Sequence, residues 1–185
     1  MLAANGQGAD QLYVSAYTFG ATVDQIIGST LVTDDASAAT FGAMFNAANF
    51  GLAGGTTPTG DALELAIGDL LVSGNNGDIR IIDISTDGNP YPGTQAAKAL
   101  AQATIASNNG IAVNAIGIGS NVDPFFLDDL TANGDGFFVI APDINGFETA
   151  LEQKLIREIT GVPAPASLLL LGLGFIGLSL RRKSS

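Results

Sequence analysis

The chain has 185 residues, room for one domain of ordinary size and a short appendage. It is 46% hydrophobic, contains 24 glycines, and carries a formal net charge of −11 with no Cys and no His. Those absences exclude disulfides, thiolate chemistry, His-based triads and the usual zinc sites. So acidic a body repels phosphate backbones, which excludes nucleic acid as a partner and favours divalent cations and basic groups.

Charge is unevenly spread. All 18 acidic residues lie at or before Glu158, against four basic ones before Val162, a net −14; the tail holds the other three, Arg181-Arg182-Lys183. The start, Met1-Leu2-Ala3-Ala4-Asn5-Gly6, has neither a basic region nor a long apolar run, so it does not read as a signal peptide. Residues 1–11 are predicted to be irregular.

Leu12–Phe19 alternates, with Leu12, Val14 and Ala16 opposite Tyr13, Ser15 and Tyr17, and predicts a strand; a weak second strand follows at 22–27. Residues 35–50 are compatible with a helix. Leu63, Ile67, Leu70 and Leu71 form an apolar stripe behind Thr59-Gly60-Asp61 and predict a helix there. Residues 78–84 and Ile111–Ile118 are nearly continuous β-branched runs, as buried parallel strands are. Between them the Ala-rich stretch 95–106 reads as a helix stopped by Asn108-Asn109-Gly110. Phe125, Leu127 and Leu130 mark a short helix, 137–140 a short strand, and Phe147, Leu151, Leu155 and Ile159 a last helix ended by Gly161 and Pro163. This alternation predicts an α/β fold: a doubly wound, mostly parallel sheet with helices on both faces.

In such a sheet, ligands sit at the carboxyl ends of the strands. Two polar loops fall there. Gly54-Gly55-Thr56-Thr57-Pro58-Thr59-Gly60-Asp61-Ala62-Leu63 leads into a helix, and Ile84-Ser85-Thr86-Asp87-Gly88 closes a strand. Together they offer hydroxyls and a carboxylate, hard oxygen donors that suit magnesium. More ordinary roles are also open to them. Thr57 or Thr59 could cap the following helix, and Asp87-Gly88-Asn89-Pro90 could be a simple turn.

These loops carry a family resemblance. Thr57-Pro58-Thr59-Gly60-Asp61-Ala62-Leu63 resembles the T-x-T-G-x-A-L loop of the von Willebrand factor type A (VWA) domain, and residues 81–88 resemble its apolar strand ending in T-D-G. The likeness spans residues 12–160. It implies that Thr57 supplies the hydroxyl of a metal-ion-dependent adhesion site and Asp87 its distal carboxylate. Thr59, Ser85 and Asp83 are second-shell candidates. It further implies a divalent cation, magnesium by its donors, whose open position takes an acidic group from a protein or matrix partner. The family's third loop, D-x-S-x-S, has no counterpart upstream of Thr57. Since a parallel crossover alone takes about a dozen residues, the first central strand and its helix are expected to be absent. The chain then reads as N-terminally truncated, with a partial metal site and a gap in mid-sheet. Asp83, a carboxylate in a buried strand, needs a partner that the sequence does not name.

The tail has three parts: Val162-Pro163-Ala164-Pro165, an apolar run expected to be helical over 166–180, and Arg181-Arg182-Lys183. That helix would be roughly 22 Å long at about 1.5 Å per residue, short for a bilayer core of about 30 Å. The basic end should stay cytoplasmic, placing the acidic domain outside. The tail, 161–185, resembles the PEP-CTERM sorting signal of Gram-negative bacteria, with Ala164 where that signal has Glu. The resemblance implies an exosortase-type processing enzyme as partner. It also implies anchoring in the inner membrane before processing, then the cell surface or extracellular matrix. Gly172-Leu173-Gly174-Phe175-Ile176-Gly177 matches a dinucleotide-binding pattern, but it follows no strand and is not read as one.

The sequence therefore predicts an exported, surface- or matrix-associated binding or adhesion module. A metal-free scaffold for protein–protein interaction is the alternative. A hydrolase is a remote third, since the chain lacks a G-x-S-x-G elbow, His, Cys and paired carboxylates. The expectation is that the chain is not an enzyme.

Overall fold

The computed structural model describes residues 2–6, 12–44, 55–72 and 79–160. In chain order the elements are β1 (Leu2–Gly6), β2 (Leu12–Phe19), β3 (Val23–Val32), α1 (Asp35–Met44), α2 (Thr59–Val72) and β4 (Ile79–Thr86). There follow α3 (Thr94–Asn108), β5 (Ile111–Ile118), α4 (Pro124–Asn133), β6 (Phe138–Ala141), a 3-10 turn (Ile144–Gly146) and α5 (Phe147–Thr160). The expected apolar helix at 166–180 and the basic end lie outside the described residues.

The strands form one six-stranded sheet in the order β3-β2-β1-β4-β5-β6. Pairing is parallel for β4–β5 and β5–β6 and antiparallel for β1–β2, β1–β4 and β2–β3. Because β1 runs against both its neighbours, β2, β4, β5 and β6 share a direction. The α/β sheet expected from the alternation is present, with two reversed strands in it.

The gap expected in mid-sheet is not there. β1 fills it, Ala4 lying opposite Val14 on one side and Ile81 on the other, so residues 2–6 are a strand and not an irregular remnant. Two physical reasons account for this. The facing edges of β2 and β4 carry rows of backbone N–H and C=O groups that need partners. Only five residues separate β1 from β2; that is too few for a parallel crossover but enough for a hairpin-like reversal.

Helices cover both faces. On one, Tyr17 of β2, Ile82 and Ile84 of β4, and Val113 and Ala115 of β5 pack against Leu63, Ala66 and Ile67 of α2, Ala99 and Ala103 of α3, and Leu127 and Leu130 of α4. On the other, α1 brings Phe41 to Val14, Ala16 and Ile27, while α5 brings Ala150, with Phe147 and Leu151, to Ile116 and Ala141. The register behind this is the period of two in β4, β5 and β2, which sends odd and even residues to opposite faces.

The last helix departs from the expected stripe. Phe147 and Leu151 face the sheet, but Leu155 is 42% exposed, and the buried line runs through Ala150 and Lys154 instead. A strict four-residue repeat drifts around a helix that turns every 3.6 residues. By the third repeat Leu155 has rotated off the sheet, and Lys154 and Glu158 face it.

Candidate binding site at the strand-end rim

The loops at the carboxyl ends of β2, β4 and β5 are tied together by hydrogen bonds. The Thr56 hydroxyl donates to the Gly20 carbonyl just past β2. Thr57 and Tyr91 form an isolated antiparallel bridge, each N–H donating to the other's carbonyl at 3.0 Å. The Asp123 N–H donates to Asn89 Oδ1 at 2.6 Å, joining the loop after β4 to the loop after β5. The four stretches thus make one continuous rim.

Thr57 lies against the turn that carries Asp87. A Cβ built on Gly88 would lie 3.6 Å from Thr57 Oγ1, so the threonine hydroxyl abuts the residue that follows Asp87. Asp87 is exposed, and its carboxylate takes no hydrogen bond or ion pair from any described residue. The turn does not depend on it, because Thr86 Oγ1 donates to the Gly88 carbonyl at 2.9 Å and receives the Gly88 N–H at 3.3 Å. Nor do the threonines cap α2. The Thr59 hydroxyl donates to the Thr57 carbonyl at 3.4 Å, and the first-turn N–H of Asp61 is taken by Gln95 Oε1 of α3 at 3.1 Å.

The second-shell candidates divide. Thr59 is buried, with its hydroxyl turned to the Thr57 carbonyl. Ser85, half-buried, pairs in register with Ile116 on the α5 side of the sheet, where Asp83 also lies. The partner that the buried-strand carboxylate of Asp83 needs is Lys154, which is wholly buried and donates to Asp83 and to Glu158. Asn114 of β5 donates to Glu158 Oε1 at 2.8 Å. Burial raises the Asp83 pKa to about 6; the Lys154 charge opposes that rise and the Glu158 charge adds to it. Asp61 is likewise committed, its carboxylate held by Lys98 at 2.6 Å and Gln95 at 2.8 Å, with Glu64 the second partner of Lys98 at 2.6 Å. The bonds from Asp61 and Glu64 push the Lys98 pKa up.

For a divalent ion the described residues of the rim therefore offer the Thr57 hydroxyl and one uncommitted carboxylate, Asp87, since the Asp123 carboxylate caps α4. The direction of β1 makes Leu2 and Ala3, in register with Asp83 and Ile82, its residues nearest the rim. Among the described residues there is no group of three or more Asp, Glu, His or Cys that could hold a metal. Two donors fit a magnesium-type ion that keeps most of its water; they do not fit one enclosed by protein.

Sequence reasoning overlooked Tyr91, Asn89 and Lys154. Nothing local marks the first two, whose importance comes from a bridge to Thr57 and a bond to Asp123 across 34 residues. For Lys154 there was a signal. It lies three residues after Leu151 and four before Glu158, on the face of the helix that a 3.6-residue period carries inward.

Comparison with known proteins agrees with this architecture. Residues 3–163 match the family described as "Protein of unknown function (DUF1194)", and residues 161–183 match the PEP-CTERM protein-sorting motif. No match was found among curated proteins. Among solved structures, the chain resembles the conserved hypothetical protein BatB from Bacteroides thetaiotaomicron, at 19% identity and a TM-score of 0.56, over 80% of each chain. It also resembles proximal thread matrix protein 1 from the mussel byssus, at 19% identity and a TM-score of 0.54, over 75% of this chain and 33% of that one. A third structure, of the same mussel protein with a zinc-occupied MIDAS motif, matches at 18% identity and a TM-score of 0.57, over 75% of this chain and 32% of that one. This chain thus spans about a third of the mussel protein. With a VWA-type fold behind it and a PEP-CTERM sorting signal at its end, the chain belongs to the DUF1194 family.

Proposed function

We propose that this protein is an exported, surface- or matrix-associated module that binds a protein or matrix ligand at the strand-end rim around Thr57 and Asp87, and that it catalyses no reaction. The carrying observation is the Thr57–Tyr91 bridge, which fixes the hydroxyl loop against the Asp87 turn and leaves the Asp87 carboxylate facing solvent. Oriented, solvated polar groups on a rigid rim suit recognition. Catalysis would need a nucleophile activated by a base, or a paired acid and base, and neither pairing occurs at the rim among the described residues. The sorting motif at 161–183 supports export, with processing by an exosortase-type enzyme and inner-membrane anchorage before it.

Direct contact with the ligand is the mode the donor set supports best. A single free carboxylate and a single hydroxyl leave a cation weakly held, and the described residues include no group of three metal-ligating side chains. The closeness of Thr57 to Gly88, the residue after Asp87, favours a second mode. There Thr57 and Asp87 hold a magnesium-type ion that keeps several waters and offers one position to an acidic group of the partner. Calorimetric titration of the full chain with magnesium separates the two. Saturable binding that disappears in Asp87→Ala establishes the second mode; heat that is absent, or unchanged by the substitution, eliminates it and leaves direct contact.

A further inference from the structure

The rim also carries two large side chains that folding leaves in water. Tyr91 is 60% exposed and Phe125 is 81% exposed. Isolated exposed apolar residues are common on protein surfaces, so exposure alone argues little. These two differ in where they sit and how firmly they are held. Tyr91 is pinned by both backbone hydrogen bonds of the bridge to Thr57, at 3.0 Å each. Phe125 is in the first turn of α4, its N–H donating to the capping carboxylate of Asp123 at 2.9 Å, and Asp123 in turn is bonded to Asn89. The backbone at both aromatic residues is therefore fixed before any ligand arrives, which removes part of the ordering cost of binding.

The charges around them indicate what kind of segment fits. Asp87 and Asp123 are both exposed on this rim. The domain holds four cations, and each is engaged elsewhere. Arg80 donates to the Asn109 carbonyl, Lys98 to Asp61 and Glu64, Lys154 to Asp83 and Glu158, and Arg157 stacks 3.7 Å from the Phe137 ring centre. The positive side chains of the described residues are thus committed to the interior and flanks, and none of them answers the rim's negative charge. Carboxylates beside aromatic faces suit a cation that also stacks, above all a guanidinium.

We infer that Tyr91, Phe125 and Asp87 form a docking surface for a basic, apolar polypeptide segment of a partner protein, in which an Arg or Lys pairs with Asp87 and its bulky neighbours cover Tyr91 and Phe125. This rests on the rim being the binding face, and adds the chemistry of the partner. It also sets the sign of the cation effect: magnesium at Asp87 competes with such a segment.

The test is amide-resolved NMR on the full 185-residue chain in mild detergent, titrated with two synthetic peptides. One alternates Arg with Phe; the other has Glu in place of Arg. The Arg peptide is expected to shift the amides of Gly88, Tyr91 and Phe125. Its affinity should fall about tenfold in Phe125→Ser and in Asp87→Asn, and should fall on adding magnesium. Both variants are surface changes, and their unperturbed core amides confirm folding. An Arg peptide that shifts amides elsewhere, or binds both variants as well as the parent, overturns the proposal. If instead the Glu peptide shifts the rim amides in the presence of magnesium, the rim remains the binding face but the partner is acidic. If neither peptide reaches the rim, both the partner chemistry and the rim reading fall.

Discussion

Replacing Lys154 by Met should destabilise the fold more than any surface substitution. The Lys154 side chain is completely buried, and its ammonium is shared by Asp83 of β4 and Glu158 of α5. Methionine fills most of the volume but removes the charge. Two carboxylates are then left facing each other in a site where their side chains are only 18% and 9% exposed. Breaking a buried pair by deleting one partner costs about 3–5 kcal/mol, because the survivors remain desolvated and uncompensated. Against a total stability of about 5–15 kcal/mol for a domain this size, that is a large fraction. In urea, where the slope is about 1–3 kcal/mol per molar, the unfolding midpoint followed by circular dichroism should drop by about 2 M. Adding Asp83→Asn and Glu158→Gln should restore most of the loss, since neutral amides can hydrogen-bond without carrying charge into the core. A Lys154→Met midpoint within about 0.3 M of the parent would refute the reasoning. It would mean that the ammonium is not compensating buried carboxylates at all.

The same network sets a pH dependence. The Asp83 pKa is raised in the fold to about 6, from 3.8, so protonation favours the native state. Its contribution is complete below pH 3.8 and is lost as pH rises through about 6. Unfolding free energy should therefore be higher at pH 5 than at pH 7.5, by about 1.4 kcal/mol, and Asp83→Asn should flatten the profile. Asp34, whose pKa is lowered by bonds from Ser37, acts in the opposite sense, but only as pH falls below its ordinary value of 3.8. In β1, Ala4→Pro should cost about 3 kcal/mol. Ala4 lies between Val14 and Ile81 in the interior of the sheet, and proline would remove a ladder donor there. Hydrogen exchange at the amides of Val14 and Ile81 should speed up with it, and unchanged protection would show that the central slot is filled some other way.

Much of the fold was legible because burial on two sides leaves a composition that is hard to mistake. β4 and β5 stand out as β-branched runs because Ile82, Ile84, Val113 and Ala115 face α2–α4 while Ile116 faces α5. The helix stop at Gly110 was equally plain, and its φ of +68° shows why a glycine follows α3 there. β1 was illegible for the opposite reason. Leu-Ala-Ala-Asn-Gly has no strand preference, and its place is set by the open backbone edges of β2 and β4. At the site, Thr57 and Asp87 could be named from their loops, since turn and helix-start residues are local signals. The partner of Asp83 lies 71 residues away, and the bridge partner of Thr57 is an unremarkable tyrosine. Contacts made across such distances leave no mark on the neighbouring sequence.

The division of charge connects these observations. A domain with 18 carboxylates and four cations ahead of Val162 cannot neutralise itself, so where the cations go decides which carboxylates remain available. Lys98 clamps α2 to α3, and Lys154 clamps α5 to β4. Both are spent on holding helices to their neighbours. The rim receives none, and its loops are instead braced by uncharged bonds, Thr57 to Tyr91 and Asn89 to Asp123. Such bracing keeps the loops rigid without masking Asp87. A rim stabilised by ion pairs would have to break them to bind anything charged, and would lose in desolvation what it gained in contact. A ligand at the proposed rim would meet no such cost, which is the physical reason for proposing recognition at the strand ends and stability in the helices.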